Sequence, residues 1–409
     1  MHRTGYRKNY SRSTGFGGYG RKNRFSTPKP ASSKRGHRDV YIDENKYISK
    51  HIESTQELIY DNAQSFSDFS LHSQLKANIA SRNFAHPTKI QAKVIKPLLE
   101  KRDVLGTART GSGKTAAFLI PAINNCLNNA QSRCLVVVPT RELAAQIQAE
   151  CRVFARNTPV TDAVVIGGAS YLAQMRALRS SPRFVIATPG RLLDLAGSAH
   201  VNLGAFDTVI LDEVDTMLDM GFIHSIKLII SQLKTPRQSM FFSATLSQKA
   251  KELASAMLSN PVIVETDAQE SIKNVYQDVV RVSPSSNKLD TLHKLLADAN
   301  ANEAPQKVLI FSRTKYGADK LVNAMRGKGH KCDSLHGNKS LSNRTKVLSM
   351  FKRSEINILV ATDVASRGID VPDISHVINF DKPATYEDYI HRIGRTGRIG
   401  KTGTALTFV

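Results

Sequence analysis

The chain has 409 residues, 41% of them apolar, enough for two to three domains of roughly 150 residues with sizeable cores, which excludes a small stapled scaffold. Lys and Arg number 57 against 35 Asp and Glu, a net charge of +22, so a polyanion is the expected partner, with nucleic acid ahead of an anionic membrane surface. Cys126, Cys134, Cys151 and Cys332 form no CxxC pair and match no zinc spacing; no disulfide framework or zinc site is indicated, and buried reduced thiols are expected.

The N-terminus MHRTGYRKNYSR lacks an apolar leader core, and no run approaches the roughly 18 apolar residues of a membrane span. A soluble cytoplasmic protein with no membrane partner is expected. Residues 1–38 hold eleven Lys or Arg and no acid. Residues 1–55 read as a disordered basic tail, mixing Gly, Ser, Arg and Lys with Tyr6, Tyr10, Phe16, Tyr19 and Phe25 and showing no helical or strand period. Such cations neutralise phosphates while interleaved aromatics stack on unpaired bases, so the tail is expected to be an auxiliary RNA contact. A purely solubilising tail is the alternative.

From about residue 62, short apolar runs alternate with amphipathic helical stretches such as RELAAQIQAECRVFA. RDVLGTA, RCLVVVP, DAVVIGG, RFVIATP, FDTVILD and QSMFFSA each read as a buried strand, and this alternation argues for a parallel sheet covered by helices on both faces. After the polar stretch TDAQESIKN a second series runs VYQDVVRV, KVLIFSR, NILVATD, SHVINFD and TALTFV. The fold class expected is therefore α/β, with two tandem domains over residues 62–266 and 275–409 joined by a linker at 267–274. Ligands of open α/β sheets bind beyond the carboxyl ends of the strands, so chemistry is sought in the residues that follow each strand.

After the strand DVLGTA comes RTGSGKTAAF, a glycine-rich turn that leads into a helix, the context of a phosphate-binding P-loop. Ala108, Arg109, Thr110, Gly111, Ser112 and Gly113 form the cradle, in which Gly111 and Gly113 let backbone N–H groups approach phosphate oxygens. Lys114 supplies charge to the β- and γ-phosphates, and the Thr115 hydroxyl can ligate Mg²⁺. Ala108 stands where the strict pattern has Gly. A nucleoside triphosphate also needs an acidic group that holds the metal, partly through water, and a carboxylate that orients the attacking water. Asp212 and Glu213 end the strand TVIL and share its sheet edge with Lys114, which turns the cluster DEVD from a solvated strand end into a candidate catalytic pair.

With those elements in place, the sequence resembles the DEAD-box family of ATP-dependent RNA helicases from about Phe66 to its last residue, and LDMGF after the box is similar to bacterial RhlE-type members. The resemblance implies that the two domains are RecA-like and that ATP and Mg²⁺ are bound. FAHPTKIQ (84–91) resembles the Q motif, implying that Gln91 reads the adenine edge while Phe66 packs near the base. PTREL (139–143), GG (167–168) and TPGR (188–191) match backbone-gripping motifs, implying RNA contacts at Pro139, Thr140, Arg141, Gly168, Thr188, Pro189, Gly190 and Arg191. SAT (243–245) resembles the coupling element, with Ser243 and Thr245 working with Asp215. HRIGRTGR (391–398) resembles the final motif, in which Arg395 and Arg398 reach the γ-phosphate beside His391. ATDVASRGID (361–370) implies Asp370 near the ribose and Thr362 near RNA; IFSRT and HGNKSLSNR imply RNA contacts at Arg313, Gly337 and Arg344.

The chain departs from the family pattern in four places. Asn83 stands for Gly, Val214 for Ala and Leu341 for Gln, and the sequence stops at Val409 where the family continues with a short helix, so a marginal or incomplete second domain is expected. The function expected is an RNA-stimulated ATPase that closes its two domains on an RNA backbone, largely independently of sequence, and melts short duplexes locally. A non-catalytic RNA clamp or annealing scaffold and a DNA-directed helicase are the alternatives. Intact Lys114, Glu213 and Arg395 count against the first, and the Q motif and SAT against the second.

Overall fold

The computed structural model describes residues 42–50, 60–61, 63–108, 111–266, 274–283, 287–300, 306–366, 371–397 and 401–409. Most of the expected tail and the linker residues 267–273 lie outside the described residues.

Two α/β units follow each other, as expected of tandem RecA-like domains. The first sheet contains β1 (Val104–Thr107), β2 (Cys134–Val137), β3 (Asp162–Val165), β4 (Phe184–Ala187), β5 (Thr208–Leu211), β6 (Gln238–Ser243) and β7 (Val262–Glu265), in the order β3-β4-β2-β5-β6-β1-β7 with every pair parallel. The second contains β8 (Val275–Val280), β9 (Lys307–Phe311), β10 (Cys332–Leu335), β11 (Ile358–Ala361), β12 (Ile374–Asn379) and β13 (Gly403–Phe408), in the order β10-β11-β9-β12-β13-β8, again all parallel.

Successive side chains of a strand point to opposite faces, and each sheet is therefore sandwiched between two cores. Val136, Ile186, Ile210, Met240 and Phe242 face one side of the first sheet, while Leu135, Val137, Val185, Val209, Leu211 and Phe241 face the other. The second sheet divides alike, with Val308, Ile310 and Val360 opposite Leu309, Phe311 and Leu359. The four cysteines are buried free thiols, and burial pushes the Cys126 thiol up to about 11. No described helix is long and apolar enough to cross a membrane.

One expectation is corrected. Residues 42–50, assigned to the tail, are ordered on the second sheet: Glu44–Tyr47 forms a 3₁₀ turn capped by Asp43, and Ser49 pairs antiparallel with Gln277 of β8. The physical reason is burial of an aromatic anchor, since Tyr47 is 1% exposed. The last strand, β13, lies inside its sheet, paired with β12 on one side and β8 on the other.

The approach to β1 is fixed by Asp103, whose buried carboxylate accepts from Ser239 N and Ser259 N, both at 2.7 Å. Asp103→Ala leaves both amides without that acceptor and is expected to destabilise the first lobe by about 2–4 kcal/mol, read from its urea unfolding midpoint.

Candidate active site

Strand order decides which loops meet. β6 lies between β5 and β1, with Leu211 opposite Phe241 and Thr107 opposite Ser243, so the residues after β1, β5 and β6 share one stretch of sheet edge. Ala108 is fully buried there, and its N–H donates to Ser243 O at 3.1 Å. Arg109 and Thr110 lie outside the described residues. Ser112 and Thr115 are half-buried at the start of the helix Lys114–Asn128.

The turn into this helix takes Gly111 and Gly113 through φ of 83° and 92°, the left-handed region that favours glycine. A Cβ on Gly113 would also stand 2.5 Å from Gln91 Nε2. Gln91 is held by its own helix: Thr88 caps Lys89–Leu99, Gln91 Oε1 accepts from Thr88 N at 2.9 Å, and Gln91 Nε2 donates to Gly113 O at 3.0 Å. These bonds leave the amide one N–H and one lone pair. Phe66 is buried in the adjoining core, stacked on Phe84 with ring centroids 6.1 Å apart.

Lys114 and the acidic pair are removed from water together. Lys114 Nζ is 4.0 Å from Asp212 Oδ1, with both side chains almost fully buried, and among the described residues neither Lys114 Nζ nor Glu213 Oε2 makes a hydrogen bond. Burial raises the Asp212 carboxyl above the usual range, opposed by the Lys114 ammonium. Burial and the neighbouring Asp212 push Glu213 up to about 7, opposed by Arg395 and Lys114. Glu213 also sits at φ 52°, ψ 52°, a strained position for a non-glycine residue of the kind that clusters at functional sites. The donor set suits a divalent cation and a triphosphate: a hydroxyl at Thr115, a buried carboxylate at Asp212 and a buried ammonium that pairs with it but makes no hydrogen bond among the described residues.

Asp215, one helical step further on, binds the end of β6. Its Oδ2 accepts from Ala244 N and Thr245 N at 3.0 Å and from Thr245 Oγ1 at 3.3 Å, while Asp215 N donates to Ser243 Oγ at 3.2 Å. Val214 points the other way, fully buried in the core of the opposite face.

The other half of the first sheet edge gathers β3, β4 and β2, with Val165, Ala187 and Val137 in register. After them come Gly168, the segment Thr188, Pro189, Gly190 and Arg191, and the segment Pro139, Thr140 and Arg141. Arg141 lies against the glycine pair, where a Cβ on Gly168 would be 2.2 Å from Arg141 Nη1. Thr140 caps its helix by accepting from Leu143 N at 3.2 Å, Gly190 is exposed, and Arg191 lies over the Tyr171 ring at 5.4 Å. In the second sheet the corresponding residues follow β9, β10 and β11: Arg313 and Gly337 are exposed, and Thr362 is buried. Asp381 Oδ2 accepts from Arg313 N at 2.8 Å.

His391 and Arg395 sit at the end of the helix Tyr386–Ile393, and Arg395 is 6% exposed. Asp370 and Arg398 lie outside the described residues. The two lobes meet at this edge. Arg395 acts electrostatically on Glu213, Arg344 Nε stands 3.0 Å from Glu142 Oε1 with both side chains nearly buried, and Leu341 packs on the core of the first lobe. The Arg344–Glu142 atoms are close but misaligned for a hydrogen bond, so the contact is an ion pair.

Sequence reasoning missed three supporting groups. Arg392 forks onto Asp363 with bonds of 2.5 and 2.8 Å, and neither residue carries a local signal that names the other. Glu142 lies inside PTREL, where the motif assigns it no role. Thr88 was legible, because Thr88-Lys89-Ile90-Gln91 is a capping box.

Residues 88–253 match the family model of the DEAD/DEAH box helicase and residues 287–400 that of the helicase conserved C-terminal domain. The chain is 38% identical to the ATP-dependent RNA helicase RhlB of Shewanella amazonensis over 355 residues, covering 84% of this chain and 80% of that one. It is 40% identical to the DEAD-box ATP-dependent RNA helicase CshA of Geobacillus kaustophilus over 346 residues, covering 84% and 73%. Among solved structures, S. cerevisiae Dbp5 bound to RNA and ADP BeF3 superposes with a TM-score of 0.74 at 27% identity, covering 84% of this chain and 89% of that one. The likeness is to the family and not specifically to the RhlE type.

A raised carboxyl has a stability consequence whose sign is definite. The folded state favours the protonated Glu213, so that contribution is complete below the ordinary glutamate value of 4.5 and is lost as pH rises through about 7. In the nucleotide-free protein, Glu213→Gln is expected to melt at the wild-type temperature at pH 5 and above it at pH 8.5, measured by differential scanning fluorimetry.

Proposed function

The chain belongs to the DEAD-box family of ATP-dependent RNA helicases, and from that premise we propose how its residues divide the work. It is an RNA helicase that hydrolyses ATP. We assign residues 62–266 and 275–409 as its two motor domains and 267–274 as their joint. The observation that supports the assignment of roles is the meeting of the two lobes at the sheet edge, where Arg344 of one pairs with Glu142 of the other and Leu341 packs on the first lobe's core, with Arg395 opposing the upward shift of Glu213.

ATP binds at the P-loop, with Gln91 using its remaining N–H and lone pair on the adenine edge, Phe66 packed near the base and Asp370 at the ribose. Lys114, already desolvated and without a hydrogen bond among the described residues, meets the β- and γ-phosphates without a reorganisation cost at the moment of reaction. A Mg²⁺ ion, when bound, neutralises phosphate charge, and Thr115 and Asp212 are the residues that would hold it, Asp212 partly through water. Glu213 orients the attacking water and accepts its proton, for which a value near neutrality is well matched. Arg395 and Arg398 stabilise charge on the transferring phosphoryl group, with His391 beside them.

RNA lies along the other half of both sheet edges. Arg141 and Arg191, the Gly168 turn and the N-terminus at Thr188, Pro189 and Gly190 grip phosphates on the first lobe, and Arg313, Gly337 and Thr362 grip them on the second. Such contacts position a strand and carry no sequence code. Asp215, bonded to Ser243, Ala244 and Thr245, links the hydrolytic site to the RNA face. The basic segment 1–41 adds phosphate contacts.

Phosphate release is expected to be stimulated by RNA and far less by DNA, and Glu213→Gln is expected to lower kcat by about 10²-fold or more while RNA still binds with an ATP analogue. No stimulation by any RNA contradicts the reading, and stimulation by DNA favours a DNA-directed motor. Removing residues 1–41 is expected to flatten the dependence of log affinity on log salt; an unchanged slope shows that the tail makes no phosphate contact.

A further inference from the structure

Residues 42–50 are the one described stretch upstream of the Q motif that docks on the far lobe, and they dock on the helix that carries the arginines. Tyr47 is buried with its ring edge-on to Tyr389, centroids 4.7 Å apart. Tyr47 and Tyr389 share a small core with Val275, Ile393 and Ala405. Tyr389 is itself fully buried, and its hydroxyl donates to Gln277 Oε1 at 3.0 Å. The backbone of the same Gln277 exchanges two 2.9 Å bonds with Ser49, so one residue of the edge strand β8 is tied to the segment and to the helix.

Charged groups fix the rest of the segment. Glu44 pairs with Lys382 at 3.5 Å and Arg281 at 3.7 Å, and Lys46 Nζ lies 5.4 Å from the Tyr386 ring centroid. The segment thus grips one face of Tyr386–Ile393, while Arg392 on the same helix anchors it to Asp363, Asn379 and Asp381. Arg395 leaves the end of that helix, its Nε donating to His391 O at 3.3 Å.

Covering an exposed strand edge requires neither a buried aromatic pair nor contacts along a neighbouring helix. From this geometry we propose that Tyr47 is a positioning residue for ATP hydrolysis: wedged against Tyr389 and Ile393, it sets the helix Tyr386–Ile393 and so the reach of Arg395 toward Glu213. Downstream, the chain rejoins the first lobe where Tyr60 bridges Thr88, the cap that holds Gln91.

The inference rests on the hydrolytic role proposed for Arg395, so wild type and Arg395→Ala are measured in the same full-length series. Tyr47→Ala is expected to lower RNA-saturated kcat roughly tenfold, a fraction of the ~10³-fold that an arginine finger can supply, with the KM for ATP and nucleotide-free RNA affinity unchanged. Tyr47→Phe is expected to restore kcat, because it keeps the ring. In the Arg395→Ala background, Tyr47→Ala is expected to cost nothing further, since the two act through one group. A wild-type kcat in Tyr47→Ala with only a lower melting temperature, or a full tenfold loss added to that of Arg395→Ala, overturns the inference. If Tyr47→Ala does not fold, Glu44→Lys, which sets like charges against Lys382 and Arg281, is expected to lower kcat about threefold, again only when Arg395 is present; an unchanged kcat overturns it. Absence of RNA stimulation in wild type contradicts the functional reading instead.

Discussion

An ammonium and two carboxylates held out of water beyond the ends of adjacent parallel strands are the constraint around which this chain is organised. At 4.0 Å the Lys114–Asp212 attraction is worth about 4 kcal/mol at an effective dielectric of 20, whereas taking each charge out of water costs several kcal/mol. The cluster is thus a poor stabiliser. It persists because the surrounding sheet over-determines it: β6 lies between β5 and β1, Ala108 is bonded to Ser243, and Gln91 clamps Gly113. The stability comes from two apolar cores on each sheet, and the carboxyl edge carries the polar groups that the cores hold rigid.

The same strand order separates two tasks along one edge. Loops after β1, β5 and β6 collect the groups suited to a triphosphate, and loops after β3, β4 and β2 collect arginines, glycines and helix starts suited to a sugar-phosphate backbone. Asp215, which follows β5, is bonded to the end of β6 within the first of these groups. The second lobe completes both halves, with Arg395 acting on Glu213 and Arg344 paired with Glu142. Leu341, which departs from the family pattern, takes part in the junction as an apolar contact and not a polar one. With the roles proposed above, an RNA and a nucleotide that each touch both lobes favour the same arrangement, which gives a physical basis for coupling one to the other.

Interior strands were legible in the sequence because a strand buried on both faces reads as a continuous apolar run, and every run so assigned is a strand. β7 and β10 were not read. Both lie at sheet edges, where VIVE is half exposed and CDSL is polar. The P-loop, the acidic pair and the coupling tripeptide were legible because their chemistry is local, each being a short residue pattern after a strand. Arg392 with Asp363 and Glu142 with Arg344 were not, since each pair joins residues far apart in sequence whose types are unremarkable alone. The docked segment was hidden by its neighbours: the composition of residues 1–38 dominated the reading of 1–55, although Asp39, Asp43 and Glu44 mark where the acid-free tract ends.

With the proposed roles, the hydrolytic groups of the first lobe work only when the second lobe is brought to them. Distance measurements between spin labels at exposed Gln232 on the first lobe and Asn323 on the second test it most directly. One narrow distance distribution is predicted with RNA and a non-hydrolysable ATP analogue together, and a broad one with either alone; the same distribution under all three conditions would contradict the account.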